Sequence, residues 1–219
     1  MWCIAKITAQ YRKRMYKLLA LYARSYDKDY PVVCLDEKSK QLIEDVRKRI
    51  PLRPGSPEKY DGEYRRKGTR NIFTAVEPLA GWRRIKVTCY RKKGDFAIFV
   101  KELIAINYRR AKRIQLVLDN LNTHFATSFY ETFSRQEADR ILRKIDFYYT
   151  PKHGSWLNMA EIEINIMTRE CLARRIGEAE ILERELLYWT EQRNKVKAKI
   201  RWSFTKKMAD RKLSKHYVA

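Results

Sequence analysis

Residues 113–124 read RIQLVLDNLNTH, an apolar run of Ile114, Leu116, Val117 and Leu118 that stops abruptly at Asp119, Asn120, Asn122 and His124. The run is too short for an ordinary helix and has polar flanks, so it reads as a strand buried on both faces. Ligands of open α/β sheets gather at the carboxyl ends of such strands, a position that suits Asp119 for chemistry. Asp and Asn are also ordinary turn residues, so the motif alone describes a strand running into a turn just as well. Two further acids, Asp36 and Glu161, lie in surroundings open to the same functional argument.

Upstream, PVVCLDE at 31–37 is a short β-branched run ending in Asp36 and Glu37, and reads as the first strand. Three prolines and two glycines make 51–62 a loop. Segments 69–76 and 82–89 read as strands joined by EPLAG at 77–81, a hairpin connection. Phe96, Phe99, Val100, Leu103, Ile104 and Ile106 recur at helical spacing, giving the crossover helix that a parallel pairing requires. The expected sheet is therefore mixed: a meander of three strands, a helix, then the strand ending at Asp119 beside the first. Short helices at 127–133 and 136–144, a last strand at 145–150, a loop at 151–157 and helices from 158 and 178 complete the pattern. The expected organisation is a basic helical arm (1–26), an α/β domain (27–175) and a C-terminal helix with a basic tail (176–219).

Charge is the loudest compositional signal. The 219 residues hold 48 Lys plus Arg against 26 Asp plus Glu, a net charge of +22, with enough apolar residues (45%) to build a core. Such a domain repels itself unless a polyanion is near, so nucleic acid is the expected partner. No apolar run approaches twenty residues and no signal-peptide pattern opens the chain, so a membrane role is not expected. Four scattered cysteines without a CxxC pair, and three histidines without zinc spacing, fit a cytoplasmic protein with reduced thiols. Any metal would be a hard cation held by carboxylates. The arm carries Lys6, Arg12, Lys13, Arg14, Lys17 and Arg24 and no acid, and suits either a phosphate backbone or a solvated helix packed by its Leu side.

Asp36 on the first strand, Asp119 at the end of its neighbour and Glu161 on a later helix can together hold two Mg²⁺ ions about 3.5–4 Å apart, the clamp for in-line displacement at a phosphodiester. Glu161 also completes a capping-box pattern with Asn158, and Glu163 is an alternative third acid. The two glutamates point to different sides of a helix, so only one can join the site.

CLDEKS at 34–39, LVLDNLNTH at 116–124 and YTPKHGSWLNMAEIE at 149–163 together resemble the catalytic domain of mariner-related bacterial insertion-sequence transposases, the DDE superfamily endonucleases. The resemblance continues through Arg193-Asn194 and Trp202-Ser203-Phe204-Thr205. It implies an RNase H-like (retroviral-integrase-like) α/β fold with a mixed five-stranded sheet and flanking helices. It places the family's acids on Asp36, Asp119 and Glu161, with Asn158 in the turn before the last. It implies Mg²⁺-dependent cleavage at the element's DNA ends and strand transfer into target DNA by a homodimer, with two ions that Mn²⁺ can replace. Asn120, Asn122, His124 and His153 would support the site, the histidines by orienting water or phosphate or by a purely structural role. Arg12, Lys13, Arg14 and Lys152 would contact the DNA backbone, and Trp156 would stack on a displaced base or fill the core. The family's usual N-terminal helix-turn-helix is expected to be missing, as in a partial copy. The alternative is an inactive remnant that binds nucleic acid without sequence preference.

Overall fold

A computed structural model describes residues 6–218, and the apolar run forms β4 (Ile114–Leu118), buried along its whole length. Four more strands, β1 (Val32–Asp45), β2 (Tyr64–Glu77), β3 (Trp82–Thr88) and β5 (Ile145–Tyr149), complete a sheet of order β3-β2-β1-β4-β5. β1, β2 and β3 form an antiparallel meander, whereas β4 runs parallel to both β1 and β5. The crossover between β3 and β4 is α2 (Lys93–Glu102), continued by a π-helical turn at Leu103–Asn107. The mixed sheet and its connection are as expected from the hydrophobic pattern.

β1 and β2 each run for 14 residues, well beyond the expected 31–37 and 69–76. Their outer halves are polar and pair with each other from Ser39↔Asn71 to Asp45↔Tyr64, past a bulge between Gln41 and Ile43. Of this extension Leu42 is buried, in the cluster with Leu172 and Ile176, and one apolar position among polar ones gives no alternation to read. Asp36 consequently lies within a strand and not at its end.

Alternation along β1 divides the molecule. Val33 and Leu35 face α2, α3 (Thr127–Thr132) and α4 (Arg135–Leu142), packing with Phe73, Phe96, Phe99 and Leu116. Cys34 faces α1 (Ala9–Tyr22), α5 (Met159–Glu170) and α7 (Lys206–Leu213), packing with Met15, Leu18, Val117, Leu157 and Ala209. At about 1.5–3 kcal/mol for each fully buried Leu or Phe, these faces supply the main folding drive. The same alternation sends Asp36 to the α5 side and Glu37 to the α2 side. Helix α6 (Ala179–Lys195) closes a third cluster on α5 through Leu182, Leu186 and Trp189.

The N-terminal segment takes the packed option, burying Met15, Leu18, Leu19 and Leu21. The basic tail carries no helix in the sequence expectation, yet Thr205 caps α7 by accepting from Met208 N, and Ala209 and Leu213 are buried. Its basic composition masked those apolar positions. Among the described residues no helix is long and apolar enough to cross a membrane.

Candidate active site

Asp36 leaves β1 on the α5 face, with Oδ1 accepting a hydrogen bond from the Glu37 backbone N–H at 2.8 Å. Burial raises its carboxyl to about 7; the Glu37 N–H opposes this, and the negative charges of Asp119, Glu37 and Glu161 add to it. Asp119 follows directly on β4, which lies parallel to β1 through Val32↔Gln115 to Cys34↔Val117.

The start of α5 is stapled to this strand pair by the fully buried Asn158. Its Nδ2 donates to the Leu35 carbonyl, one residue before Asp36, at 2.9 Å, and its Oδ1 caps the helix by accepting from Ala160 N at 3.1 Å. The expected reciprocal capping box is not made: Asn158 caps through Ala160 N, and its own N–H donates to the Ser155 carbonyl at 2.6 Å instead of to the Glu161 carboxylate. Glu161 is thus left half-exposed on the first turn. Glu163 is fully buried, with Oε1 accepting from Arg83 Nε at 2.9 Å and Arg193 Nε at 2.7 Å, and Oε2 from Arg193 Nη2 at 3.2 Å. Neither of its oxygens is free for a cation.

His124 is fully buried beneath Asp119, its ring 4.8 Å from that of Phe96. Nε2 meets Glu37 Oε1 at 2.7 Å, and Nδ1 lies 2.6 Å from Asp119 Oδ1 in a charge contact whose N–H is out of line with the oxygen. Burial disfavours the charged ring, but the two carboxylates outweigh it and raise the imidazole to about 10. The Glu37 side chain is only 3% exposed. Sequence reading passed over it, although its adjacency to Asp36 on a strand was the signal that it would face the opposite side. No comparable signal marked Arg83.

The other expected residues scatter around this centre. Asn120 Oδ1 accepts from Arg14 Nη1 at 3.4 Å, which brings α1 to the mouth of the site. Asn122 is exposed, as are Lys13, Lys152 and His153, the last with a left-handed backbone (φ 60°). The Arg12 guanidinium lies over the Tyr217 ring at 5.2 Å. Trp156 takes a packing role, edge-on to Phe204 and donating from Nε1 to Tyr11 Oη at 3.2 Å.

Among the described residues no three carboxylate, imidazole or thiolate groups are close enough to grip one metal ion together as they stand. The donor chemistry nevertheless fits a hard divalent cation. Asp36, Asp119 and Glu161 are oxygen donors; burial, with a smaller addition from the neighbouring carboxylates, raises Asp36 to about 7, and a bound cation would offset both effects.

Comparison with known proteins agrees with this architecture. Similar solved structures include the mariner Mos1 paired end complex with Mg (16% identity, 96% of this chain and 63% of that chain, TM-score 0.57) and the Mos1 mariner paired end complex with Mn (15%, 90% and 60%, 0.56). The Mos1 strand transfer complex is also similar (15%, 83% and 53%, 0.54). The chain spans less than two thirds of each of these. At such identities the likeness shows the fold, the RNase H-like mixed sheet with flanking helices. No curated protein matches the chain. The family described as DDE superfamily endonuclease matches residues 31–183, a span that takes in the whole sheet and Asp36, Asp119 and Glu161, and the chain belongs to that family.

Proposed function

We propose that this chain is the catalytic domain of a transposase that cuts DNA at the ends of a mobile element and joins the freed strand to target DNA. One observation carries the reading: in a DDE-family chain, Asp36 is a strand acid whose carboxyl is raised first by burial and further by the charges of Asp119, Glu37 and Glu161. We assign Asp36, Asp119 and Glu161 as the cation-binding acids, and the commitment of Glu163 to Arg83 and Arg193 supports Glu161 as the third. Bound there, two Mg²⁺ or Mn²⁺ ions would neutralise charge at the scissile phosphate and activate the attacking oxygen. Similar structures are paired end complexes with Mn and with Mg, which supports both cations and DNA as the substrate.

The chain's own residues do the positioning. Asn158 ties the helix bearing Glu161 to the strand bearing Asp36. Arg14, drawn to Asn120 beside Asp119, is placed to hold a backbone phosphate, and Arg12, Lys13 and Lys152 extend the basic surface. The net charge of +22 supports the same polyanionic partner. We further infer a homodimer on paired DNA ends, an origin in a bacterial insertion sequence and a cytoplasmic setting.

The test is cleavage of DNA bearing the element's own ends in Mg²⁺ or Mn²⁺. Asp36→Asn, Asp119→Asn and Glu161→Gln should each reduce cleavage by about a thousandfold, the scale on which lost transition-state charge stabilisation is felt, and each should still bind DNA. Unchanged cleavage in any one variant removes that residue from the site. A wild-type chain that binds DNA but cleaves nothing in either ion defeats the enzymatic reading.

A further inference from the structure

The contact between Asp119 and His124 has a second half on the opposite side of the sheet. Adjacent residues of β1 point to opposite faces, so Asp36 joins the acids near α5 while Glu37 shares the face of Val33 and Leu35, which pack in the core with Phe96. An unpaired carboxylate that is 3% exposed would be costly there. Glu37 meets His124 Nε2 at 2.7 Å, and the other ring nitrogen reaches around the end of β4 to Asp119 Oδ1 at 2.6 Å. Oδ1 is buried, yet the Asp119 side chain keeps 19% of its surface exposed. The exposure therefore lies on the remainder of the group, leaving the second oxygen open toward solvent.

The loop around His124 is locked as well. Tyr149 Oη donates to the His124 carbonyl at 2.9 Å, the His124 N–H donates to the Leu121 carbonyl at 3.0 Å, and Ser128 Oγ donates to the Thr123 carbonyl at 2.7 Å. The Phe96 ring covers the imidazole. With both ring nitrogens engaged and the backbone pinned, His124 has little freedom to turn toward a substrate.

We propose that Glu37 and His124 are positioning residues which clamp one oxygen of Asp119 and so present the other to a divalent cation. One strand dipeptide, Asp36-Glu37, thereby supplies a cation-binding acid on one face and the anchor of a second such acid from the other. Carboxylates and histidines behind metal ligands act in this way, fixing the ligand's orientation before the ion arrives. The role differs from orienting water or phosphate, since His124 is fully buried and faces Asp119.

The inference rests on Asp119 being a cation ligand, and the test separates the two claims. The full chain is titrated with Mn²⁺ while free ion is read by electron paramagnetic resonance, alongside circular dichroism and DNA affinity. Glu37→Gln should weaken Mn²⁺ binding about tenfold or more, with fold and DNA affinity unchanged. If Glu37→Gln does not fold, Glu37→Leu/His124→Leu, which removes both buried partners together, carries the same expectation. In an Asp119→Asn background the same change should cost less than about twofold, because the carboxylate it acts through is gone. A folded variant that binds Mn²⁺ like the wild type, or an equal loss in the Asp119→Asn background, overturns the positioning role. Asp119→Asn binding Mn²⁺ as tightly as the wild type overturns the ligand assignment itself.

Discussion

The molecule holds two buried acid–base clusters of opposite charge balance, and the contrast separates a fully satisfied cluster from one with charge to spare. In the first, the fully buried Glu163 lies between Arg83 and Arg193. Arg83 also donates from Nη1 to the Gly81 and Arg193 carbonyls and from Nη2 to the Ala198 carbonyl, while Asn194 exchanges hydrogen bonds with the Arg83 backbone. Both oxygens of Glu163 and every donor nitrogen of Arg83 are used, and the cluster seals β3 to α5, to the end of α6 and to the chain just after it. In the second, the single base His124 lies between Glu37 and Asp119, close to two more acids, and the Asp119 side chain remains 19% exposed. A cluster with every group satisfied holds the fold together; one with surplus charge and an open oxygen is suited to receive a cation.

Breaking the closed cluster should give the largest effect. Glu163→Ala leaves the buried Arg83 without its counter-ion and should cost about 3–5 kcal/mol of folding stability, read by urea denaturation. A loss below about 1 kcal/mol would place Glu163 in the less critical class of surface ion pairs. The open cluster should respond to pH instead. Asp36 is raised from its ordinary 3.8 to about 7, so the folded chain's hold on that proton favours folding most below 3.8 and is lost as pH rises through about 7. Asp36→Asn, measured in EDTA, should therefore flatten the fall in melting temperature between pH 4 and 7, and parallel profiles would deny Asp36 this part. His124 is raised from 6.5 to about 10, so its stabilisation is complete below 6.5 and fades as pH climbs toward 10. The smallest effect belongs to Arg47, which is 71% exposed beside Asp61 at 2.6 Å on the outer hairpin. Arg47→Ala should change stability by less than about 1 kcal/mol; a larger loss would mean that the hairpin extension bears on the core.

Much of the open cluster is legible in the chain. Strand β4 is a purely apolar run, and an Asp at the end of such a strand is conspicuous because the core stops there. The helical spacing of Phe96, Phe99, Val100 and Leu103 signals the crossover for the same reason: burial imposes periodicity. Glu161 and Glu163 cannot be ranked from spacing, since each would present a carboxylate from its own side of the same helix. Their difference comes from Arg83 and Arg193, 80 and 30 residues away, which no local pattern connects to either. The length of β1 and β2 is equally illegible, because a hairpin extension held mainly by backbone pairing, with Leu42 buried among polar neighbours, carries almost no hydrophobic period.

The amino-acid order alone determined the mixed sheet and its crossover, because burial and backbone pairing act on short, periodic stretches of side chains. Only the tertiary structure decided which glutamate is spent on arginines, that Glu37 stands behind Asp119 through His124, and that a basic tail folds back as a helix. Those outcomes depend on charges and apolar patches that meet only after the chain has closed on itself.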